Sequence, residues 1–196
     1  MDLAIEGGLG DAVLGSQSIF RALMDGLARP GVVQPLGKLV SPPQPLTADL
    51  GAVALTLCDH DSLVWLDPLL AESEAVQAWL RFHSGAPLTV DPAGAQFALV
   101  SDVALLPRLE TFAQGTDEYP DRSTTIVLAA TTASRRVRLA GPGVKDHLIA
   151  ELPLPGGDFL EQWAENRARF PRGIDLLLVG DGMVTGLPRS TRIMEA

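Results

Sequence analysis

Two stretches of this chain leave little choice about its centre. Thr124 to Thr131 is an almost unbroken run of apolar and β-branched residues, and Ile174 to Val179 is a second. A strand with water on one side alternates polar and apolar residues, whereas an unbroken apolar strand needs both faces covered. The second run is followed by Asp181-Gly182 and then by Met183 to Leu187. An Asp-Gly pair between strand-like runs predicts a two-residue hairpin, because both turn positions need positive φ. Leu63 to Leu66, Gln96 to Ser101 and the alternating Arg136 to Ala140 read as further strands.

Helical periods lie between these runs. Ile19, Phe20, Leu23, Met24 and Leu27 fall on one helical face, with Ser16 or Ser18 to cap its start and Arg29-Pro30-Gly31 to end it. A second helix starts at Thr47 or Asp49 and buries Leu50, Val53, Ala54 and Leu57. A third covers Glu72 to Phe82, with Val76, Trp79 and Leu80 as its stripe and Gly85 just past its end. Leu105 to Phe112 reads as a short helix, and Asp158 caps another that carries Phe159, Leu160 and Trp163. The fold class expected is α/β: one layered domain over residues 16–196, with a central mixed β-sheet flanked by helices. Residues 1–15, with glycines at 7, 8, 10 and 15 and little periodicity, are expected to be a flexible leader.

Composition narrows the functions. Hydrophobic residues make up 46% of the 196, the balance of a folded globule. The net charge of −9 argues against sequence-independent nucleic-acid binding through the overall field. The lone cysteine, Cys58, rules out an internal disulfide framework and a multi-cysteine metal or iron–sulfur site. No apolar run approaches the ~18 residues a membrane span needs. The acidic start, Met1 to Glu6, lacks the basic region of a signal peptide, so a cytoplasmic location is expected.

Each candidate for chemistry also has a plainer reading. Gly10 to Gln17 has glycines five apart, but Ser16 stands where a phosphate loop needs lysine. Cys58-Asp59-His60-Asp61 places four possible ligands in a row, yet neighbours on a helix point about 100° apart; a helix end and turn leading into the Leu63 strand, with Cys58 packed as a small hydrophobe, is the favoured reading. His60, His83 and His147 are scattered, and His83 fits a helix C-terminus. A Schiff-base cofactor would have to use Lys38 or Lys145, and nothing marks either as activated. Arginines cluster at 135, 136 and 138, at 167, 169 and 172, and at 189 and 192. On a strand Arg136 and Arg138 share a face, able to grip a phosphate or carboxylate or to serve as an interface.

Seven segments in order resemble one family. They are Phe20-Arg21-x-Leu23-Met24-x-x-Leu27-x-x-Pro30-Gly31; Thr56-Leu57-x-Asp59 leading to Val64-Trp65-Leu66; Leu80-Arg81-Phe82-His83-x-Gly85-Ala86-Pro87; Gly115-Thr116 with Pro120; Leu139-x-Gly141-Pro142-Gly143; Phe170-Pro171-x-Gly173-Ile174-Asp175-Leu176; and Leu187-Pro188-Arg189-x-Thr191. Over about residues 16 to 192 they resemble the PhnH family, the H subunit of the bacterial carbon–phosphorus lyase system. Ser84 replaces an expected threonine and Ser62-Leu63 an expected Thr-Pro, and the glycine-rich leader lies outside the pattern.

The resemblance implies a homodimer whose fold is similar to the pyridoxal-phosphate-dependent transferases but without that cofactor or any other. It implies a noncatalytic, accessory place in a core complex with the G, I and J subunits. That complex supports conversion of ATP and an alkylphosphonate to ribose 1-alkylphosphonate 5-triphosphate in phosphonate catabolism. The family supplies no catalytic residue and no metal ligand to carry over. Trp65, Trp79 or Trp163 could anchor partners, though core packing is the expected place of at least Trp79 on its helical stripe. The alternative is a small-molecule binding protein or enzyme with an arginine-lined cleft, holding phosphonate or nucleotide with Arg81, Arg172 and Asp175.

Overall fold

The computed structural model describes residues 6–37, 40–130 and 134–196. Along the chain come α1 (Ala12–Ala28), β1 (Gln34–Pro35), α2 (Ala48–Leu57), β2 (Val64–Leu66), α3 (Pro68–Ala71), α4 (Glu74–Ser84), β3 (Leu88–Thr89), β4 (Phe97–Val100) and β5 (Thr125–Ala129). Then follow β6 (Arg135–Ala140), β7 (Leu148–Leu152), α5 (Phe159–Ala168), β8 (Asp175–Gly180), β9 (Met183–Leu187) and β10 (Arg192–Glu195). Seven strands form one sheet in the order β1-β9-β8-β5-β4-β2-β3. From β8 to β3 every pairing is parallel, while β9 runs antiparallel to both β8 and β1. The expected mixed sheet is therefore present, and Asp181 and Gly182 form the β8–β9 turn with φ of 53° and 73°.

The unbroken apolar strands are buried on both sides. Val127 and Ala129 of β5, with Leu177 and Val179 of β8, pack among Ile19 and Leu23 of α1, Leu50 and Val53 of α2 and Trp79 of α4. Ile126 and Leu128, with Leu176 and Leu178, join a second cluster that contains Phe159 and Trp163 of α5. That second face departs from the expectation of flanking helices. Its cover is α5 together with a separate antiparallel sheet of order β10-β6-β7. Val137, Leu139, Leu152 and Ile193 of the small sheet complete the cluster.

The starts of α1 to α4 follow side-chain caps, whereas Asp158, expected to cap α5, stands at its N-cap position with no capping hydrogen bond from its side chain. Thr47 accepts from the Leu50 amide at 3.2 Å and Ser73 from Val76 at 3.3 Å. The α1 start lies earlier than expected. The carboxylate of Asp11, not Ser16 or Ser18, accepts from the amides of Val13 and Leu14 at 3.1 and 2.9 Å. The expected leader is also shorter. The Ser41 amide donates to the Gly7 carbonyl at 2.8 Å, and the Trp79 indole donates to the Glu6 carbonyl at 2.9 Å. Residues 1–5 of that leader, Lys38 and Thr131 lie outside the described residues. The helix expected over Leu105 to Phe112 is instead two short 3₁₀ turns, Val103–Leu105 and Leu109–Thr111.

One close approach seats α1. A Cβ placed on Gly186 of β9 would lie 2.5 Å from the carbonyl carbon of Gly26 and 2.6 Å from the Leu27 nitrogen. Only a glycine lets the helix backbone rest on the strand backbone there.

Candidate functional site: a saturated arginine and two outward faces

Asp175, one of three residues expected to line a cleft, opens β8 and is occupied by a neighbour. The Arg189 backbone N–H donates to its Oδ1 at 2.7 Å and the Arg189 Nε at 3.1 Å, while Nη2 reaches Oδ2. Nη2 also donates to Ser123 Oγ at 2.6 Å, and Nη1 to the carbonyls of Pro120 and Pro171 at 2.9 and 3.3 Å. A guanidinium carries five N–H donors, so every one is engaged. Arg189 ties the entrances of β5 and β8 to the segment between β9 and β10. The same segment accepts from α5, where the Trp163 indole donates to the Thr191 carbonyl at 2.8 Å. This hub is a staple with no spare donor. Leu187-Pro188-Arg189 was legible as a family segment, but its partner 66 residues upstream was not.

The other two expected residues sit elsewhere. Arg172 is exposed and pairs with Asp117 at 3.0 Å, close in sequence to the hub. Arg81 is exposed on α4, where Gln77 accepts from it at 3.4 Å. The strand that follows α4, β3, lies four places across the sheet from β8, about 19 Å at the usual strand spacing. Arg172 and Asp175 thus share one loop cluster and Arg81 stands apart.

The remaining candidates resolve into local structure. Cys58 ends α2, and burial pushes its thiol up to about 12. Asp59 accepts from the Ser62 hydroxyl and the Asp61 amide, which holds its carboxyl below the ordinary range. His60 is exposed and faces Asp61 at 3.3 Å. The row of possible ligands diverges, and no group of three or more metal-type side chains converges among the described residues. His83 does lie in the last turn of α4, its ring 4.8 Å from that of Trp79. Lys145 is exposed in the loop between β6 and β7.

A cleft of about 380 Å³ opens beyond the C-terminal end of β4, lined by Val103, Leu106, Pro107, Pro155, Phe159 and Gln162 among others. Parallel sheets commonly bind ligands at that end. Here the polar wall is already satisfied. Asp158 accepts from Gln162 at 2.8 Å and from Arg108 at 2.6 Å, bonds that lower its acidity range, and Gln162 accepts from the Leu109 amide at 3.0 Å.

What the interior does not absorb lies on two outward faces. All three tryptophans are buried, so none is a surface anchor. On α1, Ile19 and Leu23 are buried, but Phe20 and Met24 of the same expected stripe are 48% and 40% exposed, and Val13 is 65% exposed. Val13, Phe20 and Met24 recur at i, i+7 and i+11, one narrow line along the helix. On the small sheet, Val137 and Leu139 point inward while Arg136 and Arg138 are exposed.

The fold and its surfaces define a layered α/β domain with a doubly covered mixed sheet and two chemically distinct outer faces, one apolar and one basic. The family model described as "Bacterial phosphonate metabolism protein (PhnH)" matches residues 7–194, and the chain belongs to that family. The match takes in most of the glycine-rich segment that sequence reading had set outside the pattern. The chain is 47% identical over 190 residues to the alpha-D-ribose 1-methylphosphonate 5-triphosphate synthase subunit PhnH of Rhizobium meliloti, covering 95% of this chain and 94% of that one. It is 31% identical over 182 residues to the putative C-P lyase subunit protein HtxG of Stutzerimonas stutzeri, covering 90% and 85%.

Proposed function

We propose that this chain is an accessory, noncatalytic subunit of a carbon–phosphorus lyase core complex. It works with the G, I and J subunits in converting ATP and an alkylphosphonate to ribose 1-alkylphosphonate 5-triphosphate. The observation that carries the reading is the near full-length relative named as a subunit of that synthase. The geometry agrees with it: the most highly bonded polar group, Arg189 with Asp175, is consumed in holding the fold. Co-expression with the three other subunits tests it. The chain should elute with them on size exclusion, and separate elution overturns the proposal.

The subunit pairs with a second copy through the outer line of α1. Val13, Phe20 and Met24 form a self-complementary apolar strip, the kind of surface a two-fold seam buries. Arg21 and Asp25 flank it, so an antiparallel pairing sets the cation of one copy near the anion of the other. No described helix is long and apolar enough to cross a membrane; together with the phosphonate role this supports a cytoplasmic site of action. The scaffold is similar to that of pyridoxal-phosphate-dependent transferases without the cofactor. Lys145 in its exposed loop supports that reading, and a purified protein with the cofactor's absorbance band would contradict it.

A second reading, ligand gripping at the Arg172 and Asp175 loop or separately at Arg81, has in its favour that both guanidiniums are exposed. Calorimetry with ATP and with methylphosphonate checks it. Heat lost on Arg172→Ala supports it, and no heat with the intact chain removes it.

A further inference from the structure

The outer face of the three-stranded sheet collects positive charge in a chain whose net charge is −9. Directly opposed residues of antiparallel strands share a face. Arg138 stands opposite Met194 of β10 on one side and Ile149 of β7 on the other. Arg136 stands opposite Glu151, and Arg192 opposite Ala140. Arg136, Arg138 and Arg192 are all exposed, as are Ile149 and Glu151. Successive same-face positions and diagonal neighbours are about 7 Å apart, so Arg138 lies within that distance of both other arginines. Among the described residues none of the three is paired with a carboxylate. Their neighbour Arg135, on the inward register, is the one that takes Glu195, at 2.6 Å.

Three like charges at this spacing repel one another, and one carboxylate, Glu151 opposite Arg136, offsets only part of that repulsion. The buried side of the same strands, Val137, Leu139 and Ile193, already does the packing. Arginine set among methionine and isoleucine is the composition of an interface core. A second copy does not suit it. Isologous pairing would bring two sets of three arginines together with one Glu151 from each copy to offset them, and head-to-tail pairing with an acidic patch of the next copy would make a ring or an open filament rather than a pair. A nucleic acid does not suit it either, since the net negative field repels a long polyanion before local contact. We infer that the β6–β7–β10 face, through Arg136, Arg138 and Arg192, docks an acidic face of a different protein. The inference rests on the partner-held reading above and assigns the heterologous contact to this sheet, leaving α1 for self-pairing.

The test co-expresses the full chain, as wild type and as Arg136→Glu with Arg138→Glu, with the G, I and J subunits. The wild type should co-elute with them, less so as salt rises, because exposed ion pairs are screened. The double reversal should reduce the co-eluting fraction at least about tenfold, while light scattering still reports its homodimer. Arg136→Thr with Arg138→Thr keeps strand-forming residues and removes charge without reversing it. It should give a smaller loss, which guards against misfolding as the cause. Co-elution of both variants at the wild-type level overturns this inference and leaves the assembly reading standing. Failure of the wild type itself to co-elute overturns both. Loss of binding to a fluorescent single-stranded oligonucleotide, with co-elution intact, also overturns it and gives the arginines to a phosphate polymer.

Discussion

Phe20 and Met24 on α1, and Arg136 and Arg138 on β6, each follow or precede a buried residue by one position. In the helix one step turns the side chain by about 100°, so residues beside the buried Ile19 and Leu23 stay close to the core edge. In the strand one step turns it by 180°, so residues beside Val137 and Leu139 face straight out. Both layers cover the same seven-stranded sheet, yet one ends in an apolar strip and the other in guanidinium groups. An apolar strip meets its own copy without charge repulsion; a row of three arginines with one opposing carboxylate does not. Placement of the inner residues fixes the fold, and chemistry of the outer ones separates the surface proposed to self-pair from the one proposed to take a different partner.

The largest expected effect breaks the helical side of this comparison from within. Gly186→Ala drives a methyl group into the Gly26 and Leu27 backbone, which cannot rotate away. It should cost about 3 kcal/mol, read from the urea midpoint. An unchanged midpoint would mean that α1 does not rest on β9. Next in size is the double change Phe20→Glu with Met24→Glu. It should weaken the homodimer about a hundredfold by light scattering while leaving the monomer's stability within about 0.5 kcal/mol, since both positions are exposed. A dimer of unchanged affinity would move the seam off α1.

Arg189→Ala comes third. It frees Asp175, Ser123 and two carbonyls that now share one guanidinium, and should cost about 2 kcal/mol, below the range for a fully buried pair because both side chains keep some exposure. Lysine, with three donors on a point charge, should restore less than half; full rescue would show that the fork geometry is irrelevant. The smallest effect concerns Asp49, whose carboxylate accepts from the Gly182 amide at 2.9 Å in the β8–β9 turn. Burial raises its acidity range, against the Gly182 hydrogen bond, and Asp181 adds to the rise. A raised folded value means the neutral form is the favoured one, so the stabilising contribution is present at low pH and lost as pH rises through the folded value. Asp49→Asn keeps an acceptor without the charge. It should melt slightly above the wild type at pH 7, with the gap closing below about pH 4, under the ordinary carboxylate value; a lower melting point at pH 7 contradicts this.

Much of the large sheet was legible because its signals are local. The runs containing β5 and β8, the Asp181-Gly182 turn, the Thr47 cap and the α4 stripe each depend on residues within one element or its ends. Of the second sheet only β6 was legible, from its alternation; its pairing was not, since β6 meets β10 from 192 to 195 through register alone, and β7 is short and half exposed. The split between Ile19 and Phe20 was hidden for a different reason. Helical periodicity marks a wide apolar stripe, and only the packed neighbours decide how much of it is covered. Arg81, Arg172 and Asp175 do not stand together as a trio because sequence proximity said nothing of the four strand steps from β8 to β3, nor of Arg189 reaching back to Asp175.

The central claim is that this protein supports a synthase without performing its chemistry. Phosphorus NMR of the purified chain with ATP and methylphosphonate tests that most directly. The account predicts unchanged spectra for the chain alone and a new ribosyl phosphonate signal only once the other subunits are added. Formation of that signal by the chain in isolation would contradict it.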